Sequence, residues 1–174
     1  MNKLYLNYRD ANYNQTRLLF EPNYNFSMFE KRRAYVTEVE QLLKPYSPKT
    51  MIDYGAGDGT NTPHFDNCDM YTYDISNVKS LIKKTSTLFQ CDLITCMQVL
   101  EHVPDPNIIL EEIKSAKALY YYFEVPNEDT TKPKEFWHEH INFFNLESFT
   151  KLLSKYFTII YSDAMLHVRV ICTI

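Results

Sequence analysis

The chain has 174 residues, 45% hydrophobic and 15% aromatic, with 18 basic against 22 acidic side chains and a formal net charge of −4. That hydrophobic share excludes a disordered chain, the length suits one domain with its own core, and the acidic balance argues against non-specific nucleic-acid binding. No apolar run approaches the roughly 20 residues that cross a bilayer, and Met1 to Gln15 carry no secretory apolar region, so a cytoplasmic protein without membrane partners is expected. Cys68, Cys91, Cys96 and Cys172 form no C-x-x-C pair and are expected as reduced, mostly buried thiols. Glycine is scarce. Average usage of about 7% would give roughly twelve, whereas this chain has 3, at Gly55, Gly57 and Gly59. An AT-rich coding sequence would explain the low total but not the clustering.

Residues 1 to 26 scatter Tyr5, Tyr8, Tyr13, Phe20, Tyr24 and Phe26 without periodicity and read as an irregular aromatic arm. Ser27-Met28-Phe29-Glu30 has capping-box form, and Tyr35, Val36, Val39, Leu42 and Leu43 follow at helical spacing until Pro45. Thr50 to Tyr54 is a strand running straight into the glycine cluster, followed by a short helix that Pro63 cuts off. A second strand, Met70 to Tyr73, ends in Asp74. Residues 76 to 86 read as a short helix, and Asp92 to Met97 as a buried strand. Asp105-Pro106 caps a helix with Ile109, Ile113 and Ala116 inward. Leu119 to Val125 is an aromatic strand. After a loop marked by Pro126 and Pro133 comes Trp137-His138-Glu139-His140, then a helix capped by Asn145 with Leu146, Phe149, Leu152 and Leu153 inward. Strands at Phe157 to Tyr161 and His167 to Ile174 finish the chain. Strands alternating with helices predict an α/β domain with a mainly parallel sheet. Residues 1–48 would form an arm and helix packed on a core of 49–174.

Glycines between a strand and a helix let backbone approach a ligand closely, and a carboxylate ending the next strand can accept both hydroxyls of a ribose. Asp74 stands where that carboxylate belongs. A dinucleotide fingerprint wants a third glycine where this chain has Thr60. The observed G-x-G-x-G headed by Asp53 resembles motif I, D-x-G-x-G-x-G, of the class I S-adenosylmethionine-dependent methyltransferases. Cys91-Asp92-Leu93-Ile94 through Val99-Leu100-Glu101-His102-Val103-Pro104-Asp105-Pro106 resembles that family's fourth-strand motif, with Cys91 replacing an aromatic. Val125-Pro126-Asn127 resembles the end of its fifth strand. Glu139-His140 through Phe143-Phe144 resembles the E-H-x-x-x-F/Y element of a subgroup that includes sugar C-methyltransferases.

The resemblance covers about residues 49 to 174. It implies a Rossmann-like sandwich with an antiparallel last strand, S-adenosylmethionine as cofactor and a small-molecule acceptor. By motif, Gly55, Ala56, Gly57 and Gly59 would line the methionine part and ribose. Asp53 would position the cofactor's amino end, Asp74 would hold the ribose diol, Ile75 would lie beside adenine, and Gln98 would touch the cofactor. Asp92 comes only 18 positions after Asp74, so the third strand is expected as a stub around Ser86 to Phe89, or absent, with Leu88 and Phe89 offering apolar packing. A trimmed fold is the expectation.

Methyl transfer to a hydroxyl or carbon needs a proton removed, and histidine is suited to that. His140 is the first candidate, His102 the second, His138 a rim residue, and His64 and His167 structural. A metal at His138-Glu139-His140 would need a third ligand from Glu101 or His102, and the spacing lacks the helical H-E-x-x-H pattern, so no metal is expected. Lys31-Arg32-Arg33 reads as a solvated face. The competing functions are an inactive cofactor-binding partner subunit and a nicotinamide-dependent oxidoreductase. Oligomeric state is open.

Overall fold

A computed structural model describes residues 26–130 and 140–174. The expected arm residues Tyr5 to Tyr24, with Pro133, Trp137, His138 and Glu139, lie outside this range. A 7-stranded sheet has the order β3-β2-β1-β4-β5-β7-β6. Its strands are β1 (Thr50–Tyr54), β2 (Asp69–Tyr73), β3 (Lys83–Lys84), β4 (Leu93–Met97), β5 (Tyr120–Pro126), β6 (Thr158–Ala164) and β7 (His167–Thr173). Neighbours pair in parallel from β3 to β5, whereas β7 runs antiparallel to both β5 and β6. The sheet is thus the mainly parallel one that the alternation predicts, with its last strand reversed as the resemblance implies.

Period-2 alternation on the central strands sends side chains to two faces, and helices cover both. On one face Met51, Leu93, Tyr122 and Ile171 pack with Val39 and Leu43 of α1 (Phe26–Leu43). On the other, Ile52, Ile94, Cys96, Tyr121, Phe123 and Val170 pack with α2 (Pro106–Ser115) and α3 (Leu146–Leu153) through Leu110, Ile113, Phe149 and Leu153. Cys91, Cys96 and Cys172 are buried thiols, as expected, and Cys68 is partly so.

Local signals set the helix starts. The Asp105 carboxylate accepts the Asn107 N–H ahead of Pro106, and Asn145 and Ser148 form a reciprocal capping box. On α2 the inward residues include Leu110, which the sequence reading omitted. At α1 the helix already includes Phe26 and Ser27, so Ser27 is not its cap. The Glu112 carboxylate accepts the hydroxyls of Tyr54 (2.7 Å) and Tyr73 (2.8 Å), tying β1 and β2 to α2.

Two expected helices are absent, and the reason is local competition for backbone groups. After Gly59 the chain makes turns instead: Gly59 N–H donates to Ala56 O, Thr62 N–H to Gly59 O, and Thr60 N–H to the Asp58 carboxylate. Across 76–86 the Ser80 hydroxyl accepts the Ile82 N–H, Leu81 N–H donates to Asp58 O, and the Lys84 ammonium donates to Ser76 O. The third strand is a stub, but it stands at Lys83–Lys84 against Tyr71 and Thr72 rather than at Ser86 to Phe89. Leu88 and Phe89 pack on the core, with Phe89 edge-on to Tyr71 at 5.0 Å.

Candidate functional site

The strand order reverses between β1 and β4, and ligands of open α/β sheets bind at such a switch point, beyond the carboxyl ends of the strands. The glycine cluster lies there, directly after β1. Gly55, Gly57 and Gly59 have φ of 74°, 58° and 79°, the left-handed region that other residues adopt at a cost. At Gly55 a Cβ would lie 2.4 Å from Val99 Cγ2, so the loop after β4 rests directly on the glycine backbone. At Gly59 it would meet the Ser80 hydroxyl at 3.1 Å. The glycines are therefore required by the protein's own loops, beyond any demand from a ligand.

Asp74, just past β2, closes the other side. One carboxylate oxygen accepts the Gly57 N–H and the other the Ser76 N–H, each at 2.7 Å. A shallow cleft of about 420 Å³ is lined by Tyr73, Asp74, Ile75, Ser76, Lys84 and neighbours. Ile75, 42% exposed, is an apolar surface of that cleft. The Lys84 ammonium, 2.5 Å from Ser76 O, gives it a cation that sequence reasoning missed.

Asp53 does not face the cleft as a free carboxylate. It is buried, and its two oxygens accept the hydroxyls of Thr62 (2.6 Å) and Thr95 (2.7 Å). Burial outweighs these bonds and pushes its carboxyl up to about 7. The folded chain then keeps a proton that the unfolded chain, titrating near 4, releases. The stability associated with this group is complete below about pH 4 and is lost as pH rises towards 7. Asp53→Asn stays neutral with the same shape. Its unfolding free energy in urea should gain on the parent between pH 5 and pH 8 by on the order of 3 kcal/mol. Parallel stability profiles for the two proteins would refute this.

Gln98 follows β4 in a left-handed conformation, φ 57°. Its amide nitrogen donates to Glu124 Oε1 (2.9 Å) and its backbone N–H to Glu124 O (2.9 Å). Glu124, buried on β5, also accepts the Tyr122 hydroxyl at 2.7 Å. Sequence reasoning missed this support, although a single acid in the aromatic run Tyr120 to Val125 was a visible signal.

Glu101 and His102 belong to a 3-10 turn, Leu100–His102, directly after Val99. The returning chain is clamped to it: Ile141 and Asn142 N–H donate to Glu101 O, and the Asn142 amide donates to Leu100 O and Val103 O. This brings the His140 ring to 4.8 Å from the His102 ring, centroid to centroid. The first and second candidate histidines therefore meet at the carboxyl end of β4. Burial pushes the Glu101 carboxyl up to about 8. His167 is structural as expected, against Tyr35 at 4.5 Å with its pKa lowered to about 4 by burial. His64 is exposed, and its backbone N–H donates to the Glu40 carboxylate.

The sheet order, its reversed strand and the glycine–acid arrangement define a Rossmann-like class I methyltransferase fold. A methyltransferase-domain family matches residues 28–158, and the chain belongs to it; it is an S-adenosylmethionine-dependent methyltransferase. No curated protein matches in sequence. Among solved structures it is similar to magnesium protoporphyrin IX methyltransferase (ChlM) from Synechocystis PCC 6803 with bound S-adenosylhomocysteine. That match has 12% identity and a TM-score of 0.67, covering 96% of this chain and 96% of that one. The small RNA methyltransferase HEN1 has 16% identity and a TM-score of 0.66, covering 80% of this chain and 25% of that one. The N-terminal domain of EvdMO1, in the presence of S-adenosylhomocysteine and D-fucose, has 9% identity and a TM-score of 0.54, covering 79% and 82%. At these identities the likeness concerns the fold, which serves acceptors as different as a porphyrin and a small RNA. The family match decides against the nicotinamide reading. Among the described residues no helix is long and apolar enough to cross a membrane.

Proposed function

We propose that the chain methylates a small molecule, a sugar or nucleotide-sugar, at the carboxyl ends of β1, β2 and β4, beside the cleft that Asp74 and Ile75 line. The observation that carries the site is the Gly57–Asp74 hydrogen bond, which fixes a carboxylate beside the glycine backbone at the carboxyl end of the sheet. Each Asp74 oxygen accepts one N–H and keeps lone pairs for a hydroxyl, so the residues fit a ribose diol. Ile75 offers the apolar side for adenine, and Lys84 supplies a donor where the shortened third strand leaves few contacts. Gln98, held by Glu124, bounds the cofactor on the β4 side. Asp53 acts through Thr62 and Thr95, as a support for the loop rather than a direct contact. S-adenosylmethionine supplies an electrophilic methyl group, and most of the remaining catalysis is positioning of the acceptor.

His140, with His102 beside it, is the proposed base for an acceptor proton. The sugar reading is supported by the Glu139-His140 to Phe144 element and by the D-fucose in the EvdMO1 structure. Residues 1–48 are proposed as an arm and helix on a core of 49–174, which fits the packing of α1 on the sheet. The competing reading, an inactive cofactor-binding partner subunit, is motivated only by the two-residue β3, and the family match favours the enzyme. Calorimetry with S-adenosylhomocysteine and NAD, then an acceptor screen with labelled cofactor, tests these in order. The first ligand should bind and the second should not. Binding with no acceptor methylated favours the partner subunit. Turnover that survives His140→Ala removes the base assignment.

A further inference from the structure

We propose that Glu101, His102 and His140 form a binding site for one divalent transition-metal ion. One ligand atom from each, a carboxylate oxygen and two imidazole nitrogens, lie within 4.8 Å of one another. The sequence places a metal candidate at His138-Glu139-His140, with Glu101 or His102 as third ligand, and predicts no metal there. The fold instead joins two adjacent residues of the β4 turn to His140 across a long separation in sequence.

The second observation is the state of Glu101. It is 1% exposed, and neither of its carboxylate oxygens has a hydrogen-bond partner among the described residues. Buried carboxylates normally accept several N–H or O–H groups, as Asp53 does from Thr62 and Thr95. Among the described residues the closest ion-pair candidate is His102 Nε2, 3.7 Å from Oε1 and outside hydrogen-bond range, and the Arg32 charge also acts on the carboxyl. A buried carboxylate without such partners is neutralised either by a proton or by a cation at close range, and a bound ion would displace the proton.

The backbone around the triad is pre-set. The clamp from Ile141 and Asn142 fixes the His140 segment against the turn that carries the other two ligands. Bond lengths of about 2.0–2.2 Å place ligand atoms roughly 3–3.5 Å apart, so the triad closes with side-chain rotation and no change of backbone. Two imidazoles and one carboxylate suit zinc, cobalt, manganese or ferrous ions better than calcium or magnesium, and leave further positions open. A nitrogen bonded to the ion has no lone pair for a proton. At that atom this site and the base role proposed for His140 exclude each other.

The test uses the full chain, stripped by a chelator and titrated with cobalt(II) chloride, followed by visible absorption and calorimetry. One ion per chain should bind, with a spectrum distinct from that of the hydrated ion. His102→Gln and His140→Gln should each weaken binding by more than the tenfold to 100-fold usual for an outer-shell change. Glu101→Gln, neutral and of the same shape, should weaken it as well, and His64→Gln, an exposed histidine outside the triad, should not. Should a variant fail to fold, the anomalous diffraction peak of cobalt in parent crystals decides, and it should lie between the three side chains. No binding, binding that survives the His102→Gln/His140→Gln double variant, or a peak elsewhere would overturn the proposal. These readouts do not depend on S-adenosylhomocysteine binding, so this site and the methyl-transfer cleft can fail separately.

Discussion

Gly55→Ala is expected to destabilise the protein by about 3 kcal/mol, through two effects that add at one atom. A Cβ there would meet Val99 Cγ2 at 2.4 Å, well inside contact distance, and both groups are attached to backbone at the junction of two loops. The φ of 74° adds a conformational penalty of about 1 kcal/mol or more, which no rearrangement of Val99 relieves. The two parts can be separated. Gly55→Ala combined with Val99→Ala removes the clash and leaves the backbone penalty, so the double variant should recover only part of the loss in urea unfolding. A single variant within about 0.5 kcal/mol of the parent would show that the loop relaxes freely, contrary to this packing. Because Val99 leads into the turn bearing Glu101 and His102, the same substitution should also disturb the acceptor side of the cleft.

Asp74→Ala should lower affinity for S-adenosylhomocysteine at least 100-fold by calorimetry. Hydrogen bonds to a charged group are each worth about 1.5–3 kcal/mol, and a ribose diol would make two. The carboxylate also holds the Gly57 and Ser76 N–H groups, so a modest loss of stability is expected alongside. Asp74→Asn discriminates. Its nitrogen cannot accept, so it repels one of those N–H donors and loses one hydroxyl, and affinity should fall even though size is kept. Unchanged affinity in both variants would remove Asp74 from the cofactor site.

The legible parts of the fold were those written in local pattern. Thr50 to Tyr54 and Leu93 to Met97 are short, mostly apolar segments, the first leading straight into the glycines. Asp105-Pro106 and Asn145 carry their caps within four residues. The glycine spacing located the loop, and Asp74 followed from its place at the end of a strand. What could not be read depended on partners far along the chain. Residues 76 to 86 have enough charge and length for a helix, but Leu81 N–H is taken by Asp58 O in the glycine loop. Helical periodicity carries no trace of such bonds. The same applies to Glu101, whose proximity to His140 depends on a return of chain clamped by Asn142. The role of the glycines was only half visible. Their sequence suggested room for a ligand, whereas Val99 and Ser80 occupy part of that room.

The thin side of the sheet has a further consequence. Between β1 and β2, and between β2 and β4, the described chain runs through turns and a two-residue strand, with no helix to bury their edges. The core instead concentrates on β1, β4, β5 and β7, where the buried strands are. A nucleoside bridging the glycine loop and Asp74 would span that thin region and act as a missing structural layer. Any ligand that binds only the folded chain adds RT ln(1 + [L]/Kd) to its stability, about 2.7 kcal/mol at a hundredfold excess over Kd. For a chain trimmed in this way, the supply of cofactor would set how much of the protein is folded as well as how fast it works.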